Sequence, residues 1–350
     1  MEGVLDAGAL PREAPETIRN EVQIRQIMGS AGELTTEVLR LLVSYPYDAD
    51  TLDRVGIRKE DMAAHLCRTL PAPGGALYTA DDDSRLRGLL YLAPQLEPSA
   101  MLGSHIWRVE LLIIDPDAPD GTVGALLEYA LSFLDAPVDY LFARVPADDH
   151  RAVQGLHRYG FNTSVGEAQV VAHTDVSRVH SPSDYDFVPL DTNNLEAAAG
   201  VLYAQRHCNP YLRDPGFSLD RIRKLTHYQL RGYKEGKDRG ALVAVHRSGT
   251  VVGLAAHRRD PRLEWTANRT VAGLDSIHVR PEVALDGLDT LLAGYTLACL
   301  HATGVEAVTS QAILDDKRDS CRLDALKEAG FEVTGSNLVF GRWINRPNSA

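Results

Sequence analysis

The chain repeats itself, and this limits what it can fold into. At an offset of 165 residues Gly75-Ala76-Leu77 matches Gly240-Ala241-Leu242, and Gly88-Leu89 matches Gly253-Leu254. Pro116 matches Pro281, and Leu126-Leu127 matches Leu291-Leu292, at the same offset. The offset grows to 167 at Asp148-Asp149 and Asp315-Asp316, and to 170 at Gly160-Phe161 and Gly330-Phe331. Upstream, Pro46-Tyr47 pairs with Pro210-Tyr211 at 164. Small drifts of this kind are what loop insertions leave in a duplicated unit. A length of 350 residues suits two such units, at roughly 100–200 residues per domain.

The hydrophobic pattern repeats as well. GALYTADDDSRLRGLLYLA and GALVAVHRSGTVVGLAAHR each read as strand, polar turn, strand. An apolar strand ending at proline follows each: RVELLIIDP and LDSIHVRP. Then come glycine-containing loops and long apolar helices, VGALLEYALSFLD and LDTLLAGYTLACLHATG. The short strands VDYLFARV and VEAVTSQA lead into the helices DDHRAVQGLHRYGF and DDKRDSCRLDALKEAGF. Their paired aspartates sit where N-caps belong, and Gly160 and Gly330 where helix-ending glycines belong. An apolar run closes each half, near EAQVVA and NLVFGRW. The expected architecture is α/β: two domains, each a bent mixed sheet flanked by helices. Residues 1–30 form an extension without counterpart, 31–172 the first domain, 173–182 a polar linker and 183–350 the second domain.

Composition excludes several classes. Acidic residues outnumber basic ones 48 to 36, a net charge of −12, whereas nucleic-acid binders are usually basic. No nucleic-acid partner is expected. No run reaches the ~18 uncharged apolar residues of a membrane span, and the acidic N-terminus is unlike a signal peptide, so a cytoplasmic protein without a membrane partner is expected. The four cysteines form no CxxC pair and the histidines no HExxH, so no metal is expected.

The order of elements, the strand–turn–strand–strand–helix run and the terminal LxxxGF of the last helix resemble the GNAT family of N-acyltransferases, present twice over about 30–172 and 183–345. NPYLRDPGFSLDRIRKL in the second half and LFARVPADDHRAVQGLHRYGF in the first are similar to segments of TDP-fucosamine acetyltransferase-like proteins. Mycothiol synthases resemble the tandem layout. The resemblance implies transfer of an acyl group from acetyl-coenzyme A, or another acyl-coenzyme A, to a primary amine of a small metabolite or peptide. Acyl-phosphopantetheine on an acyl carrier protein is an alternative donor, and a catalytically silent binding protein is an alternative function.

The resemblance also assigns residues. The loop before the long helix holds the donor pyrophosphate on backbone N–H groups and a helix N-terminus. It corresponds to Gly121 and Gly124 in the first half and to Gly287, Leu288 and Asp289 in the second, with Ile277 and Val279 on the strand alongside. The family's basic residue is missing from both loops, and Asp120, Asp286 and Asp289 intrude. Two unit charges about 5 Å apart interact by roughly 3 kcal/mol at an effective dielectric of about 20. These aspartates either repel the donor or cap the helix and point away. The tyrosine that protonates the leaving thiolate in many members is replaced by Leu156 and Leu326.

An amine nucleophile must lose a proton, and a carboxylate or histidine beside the strand can take it. Glu110 and Asp275 stand at equivalent distances from the shared proline. His278 is a third candidate, although a three-residue step along a regular strand points it opposite Asp275. His207, Asn209, Tyr211 and Arg213 fall in the family's acceptor region, beside Cys208. A basic cluster, Arg221 to Arg239, could attract coenzyme A phosphates or an acidic carrier protein. Activity is expected in the second half, with the first as scaffold and as a wall of the acceptor cleft.

Overall fold

The computed structural model describes residues 22–27, 35–44, 49–82, 85–176, 184–204, 213–267, 269–283, 287–314 and 317–345. The first half runs β1 (Gln23–Ile27), α1 (Thr35–Ser44), α2 (Ala49–Arg54), α3 (Lys59–Thr69), β2 (Ala76–Asp82) and β3 (Arg85–Pro94). It continues with α4 (Leu96–Leu102), β4 (Ile106–Ile114), α5 (Thr122–Phe133), β5 (Tyr140–Pro146), α6 (His150–Arg158) and β6 (Asn162–His173). The second half runs β7 (Tyr185–Pro189), α7 (Leu195–Ala204), α8 (Leu219–Glu235), β8 (Arg239–His246), β9 (Val251–Arg259) and α9 (Pro261–Ala267). It ends with β10 (Val271–Val279), α10 (Leu288–Ala302), β11 (Ala307–Ile313), α11 (Lys317–Glu328) and β12 (Glu332–Trp343).

Two boundaries differ from expectation. Residues 23–27 are not part of an extension without counterpart. They form β1, which pairs antiparallel with β2 as β7 pairs with β8. The proposed linker also starts too early. His173 ends β6, and Thr174 is buried, its hydroxyl donating to the Val305 carbonyl at 2.6 Å.

The twelve strands of the described residues join one sheet in the order β1-β2-β3-β4-β5-β12-β6-β11-β10-β9-β8-β7. Replacing each strand by its counterpart (β1 by β7, through to β6 by β12) reproduces this order reversed. The duplication is therefore a pseudo-twofold in the sheet. At the centre the halves exchange their last strands: β12 lies between β5 and β6, and β6 between β12 and β11. Both strands carry apolar residues on adjacent positions, Val170-Val171-Ala172 and Val339-Phe340, all buried. A strand buried on both faces belongs inside a sheet, not at its edge. Phe340 thus joins the first-half core with Leu126 and Leu156, and Val170 and Ala172 join the second-half core with Leu297 and Leu326.

Helices cover both faces. One face carries α1 and α3 in the first half and α7 and α8 in the second. The other carries α5, α6, α10 and α11. Local chemistry sets the helix ends as expected. The Asp149 carboxylate accepts the Ala152 N–H at 2.9 Å, and Gly160 and Gly330 take φ of +83° and +103°, which favours glycine. Asp315 and Asp316 lie outside the described residues. Across the midline, Arg221 of α8 donates to the Leu102 carbonyl of α4 at 2.6 Å.

Candidate active site

The parallel strands β4 and β5 pair over four positions, Ile106↔Tyr140 to Val109↔Ala143, and then part. In the second half β10 and β11 pair from Val271↔Ala307 to Leu274↔Ser310, and then part. Each fork begins at a bulge. The β3–β4 register skips Glu110, and the β9–β10 register skips Asp275. The two carboxylates thus occupy equivalent backbone positions, one at the fork of each half. A bulge puts two residues opposite one and disturbs the alternation of side chains.

That disturbance corrects the expected orientation of His278. Leu274, Ile277 and Val279 all enter one core although the first two are three residues apart. Alternation therefore shifts at Asp275, and His278 falls on the same face, not the opposite one. It is 5% exposed and pairs with Leu254, outside the cavity that Asp275 lines.

Glu110 and Asp275 line a common cavity of about 570 Å³. It lies on the face covered by α3 and is walled by both halves. Tyr91, Arg108, Glu110 and Arg144 come from the first half, and Arg258, Asp275, Ser310 and Gln311 from the second. Asp275 is firmly held. The Tyr233 O–H donates to Oδ2 at 2.6 Å and Arg258 Nε donates to Oδ1 at 3.0 Å. Burial and the Asp275 charge push the Tyr233 phenol far up, so it keeps its proton and serves as a donor. Glu110 has a looser partner, Arg108 Nη1 at 3.4 Å. Arg144 pairs with the buried Glu167 at 2.7 Å. Tyr233, Arg258, Arg108 and Arg144 carry no sequence motif. They come from four elements that only the fold brings together.

His257 adjoins this cluster. A Cβ on Gly240 would come within 2.8 Å of its ring. Burial lowers the His257 pKa from its ordinary 6.5, with Asp275 opposing. The unfolded chain then binds the proton more readily than the folded one, so stability falls as pH drops below about 6.5. Between pH 7 and pH 5 the melting temperature should fall further in the native protein than in His257→Gln. An equal fall in both would remove this assignment.

On the opposite face the residues assigned to the donor loops differ between halves. Gly121 and Gly287 are both helix N-caps, of α5 and α10, but only Gly287 takes a left-handed φ, +69°. In the first half Val123 packs directly on Gly155 of α6. A Cβ added to Gly155 would lie 2.5 Å from that of Val123. Arg151 of α6 donates to the Ala118 carbonyl in the loop, and Asp120 lies 3.7 Å from Arg158. The Asp115 carboxylate, 1% exposed, takes the Asp117 N–H and faces Arg40, Arg85 and Arg87. The first-half loop is thus latched to α6, and a Cβ added to Gly124 would meet Tyr159 at an ordinary 3.8 Å.

In the second half the Asp289 carboxylate accepts the Thr290 N–H at 3.0 Å, and burial pushes its pKa up. Ile277, Val279 and Leu288 bury their side chains in the core, which leaves only main-chain groups for a ligand. Leu156 and Leu326, at the family's tyrosine position, are both core residues. His207, Asn209 and Tyr211 lie outside the described residues, and Arg213 stands in the stretch before α8. The basic cluster lies mainly on α8, on the cavity face and away from the loop before α10. Among the described residues no group of three metal-binding side chains occurs, and no helix is long and apolar enough to cross a membrane.

No protein-family model matches the chain, and no curated protein matches it in sequence. Solved structures do match. A GCN5-related N-acetyltransferase from Sphaerobacter thermophilus superposes with a TM-score of 0.58 at 13% identity, covering 94% of this chain and 97% of that one. The glucosamine N-acetyltransferase region of a fungal multi-domain β-N-acetylglucosaminidase gives 0.55 at 15% identity, over 95% of this chain and 40% of that one. A tandem GNAT protein from the clavulanic acid biosynthesis pathway gives 0.50 at 19% identity, over 94% of this chain and 100% of that one. Together with the mirrored strand order, these matches establish that the chain has the GNAT acetyltransferase fold, carried twice along one polypeptide.

Proposed function

We propose that the protein transfers an acyl group from an acyl-coenzyme A to the primary amine of a small molecule, and that the second half does the chemistry. One observation carries this reading. In each half two parallel strands part at a bulged carboxylate, and both carboxylates open into one cavity of suitable size for a small ligand. The choice of half rests on the donor side. The latched first-half loop, with Val123 against Gly155, does not fit a coenzyme. The second-half loop keeps Gly287 in a left-handed turn at the N-terminus of a 15-residue helix, whose N–H groups suit a pyrophosphate. Gly287, Leu288 and Asp289 would hold it through main-chain groups.

A thioester donor supplies an activated acyl carbon and a thiol leaving group. Asp275 receives the proton that the amine sheds on attack, and Tyr233 and Arg258 hold the carboxylate in place. Leu326 has no proton to give the departing thiolate, so that proton comes from water or from the acceptor. The first half completes the acceptor wall through Tyr91, Arg108, Glu110 and Arg144.

A second reading, a catalytically silent binding protein, is favoured by one observation: α6 latches the first-half loop, and in the second half Thr290 of α10 donates to Glu328 of α11 at 3.1 Å. A carrier-protein donor draws no support from the basic cluster, which lies on the acceptor face. Thiol release from acetyl-coenzyme A, followed colorimetrically across a panel of amines, separates the readings. Release that requires an amine is expected. Calorimetric binding of acetyl-coenzyme A without release from any amine would leave the silent reading standing.

A further inference from the structure

We propose that the accepted amine carries a carboxylate beside it, as an α- or β-amino acid does, and that Arg258 reads this carboxylate. The inference rests on the reading that Asp275 takes the amine's proton, and it narrows the acceptor class. Arg258 lines the cavity, with its side chain 55% exposed. Among the described residues its hydrogen bonding uses Nε alone, toward Asp275 Oδ1 at 3.0 Å. That bond fixes the plane of the guanidinium. Nη1 and Nη2 remain, the pair whose geometry matches a carboxylate.

The neighbouring charges point the same way. Asp260, the other carboxylate near Arg258, accepts the Leu263 N–H at the start of α9 and adds only to the surrounding field. The other two arginines of the cavity are committed, Arg144 to Glu167 at 2.7 Å and Arg108 to Glu110 at 3.4 Å. Among the described residues Arg258 therefore has donors to spare, and it stands one guanidinium away from the proposed base. An amine held at Asp275 places any adjacent anion against Nη1 and Nη2. A simple alkylamine or a peptide N-terminus has no charge there, and leaves two cavity-facing donors poorly paired.

The test compares amino acids with their own carboxamides, by thiol release from acetyl-coenzyme A and, separately, by calorimetric binding without donor. The acid of each pair should be preferred by about 10–100-fold, the worth of a charge-assisted bond. Arg258→Gln should bring the ratio to within about threefold, and Arg258→Lys, which keeps charge without the fork, should fall between. Tyr233→Phe should slow acid and amide by the same factor and leave the ratio unchanged, which separates recognition by Arg258 from support of Asp275. Equal use of acid and amide by the native protein would overturn the proposal while leaving acyl transfer intact. So would a preference that survives Arg258→Gln, or no binding of either member of any pair. Acid-selective binding that is lost in Arg258→Gln, with no thiol release from any amine, would support the ligand class and remove the acyltransfer reading instead.

Discussion

Expressed alone, residues 184–350 will not give a stable folded protein, and neither will residues 1–176. Co-expressed, the two pieces should assemble and recover the native circular dichroism and melting behaviour. The reason is the strand exchange. Phe217, Ile222, Leu225, Ile313, Val339 and Phe340 of the second half are each at most 5% exposed, and all pack in clusters with first-half residues such as Tyr140, Phe142 and Leu156. At roughly 1.5–3 kcal/mol per buried side chain, six of them contribute about 9–18 kcal/mol. The whole net stability of a domain is about 5–15 kcal/mol. Deletion of one half also strips β6 or β12 of a neighbour on each side. A monomeric second half with a cooperative unfolding transition close to the native one would refute this interlocking.

The second large effect is expected at Asp275. Asp275→Asn keeps the shape and still accepts the Tyr233 O–H, but it cannot take up a proton. Loss of a general base costs about 10²–10⁴ in rate, here about 3–5 kcal/mol in kcat/KM. Stability should change little, because the Arg258 ion pair is partly open to solvent and pairs of that kind contribute about 0–1 kcal/mol. Glu110→Gln, at the latched half, should leave most of the rate in place. A rate unchanged in Asp275→Asn would take the base assignment away from this residue.

Much of the fold was legible because it is written in local periodicity. The strand–turn–strand units, the long apolar helices, the Asp149 cap and the helix-ending Gly160 and Gly330 all depend on neighbours a few residues apart. The short strands β1 and β7 are hard to read from the sequence, although YDFVP sets aromatic residues at alternate positions before its proline. The orientation of His278 is not legible in the sequence for a different reason. A strict period of two holds only on a regular strand, and no residue type announces the bulge at Asp275. Arg258 and Tyr233 were invisible as site residues because they are 17 and 42 residues from Asp275 and belong to no motif.

The sequence by itself determined that the chain is a duplication, most of the elements each half contains, and that Glu110 and Asp275 correspond. These follow from matched residues and from hydrophobic spacing, which are properties of the chain alone. Only the tertiary structure decided that the halves exchange their final strands, that the two forks open into one cavity, and that Arg258 stands there with Nη1 and Nη2 uncommitted among the described residues. Each of those depends on which distant segments meet. That choice is made by burying apolar surface over the whole molecule, and no local run of residues encodes it.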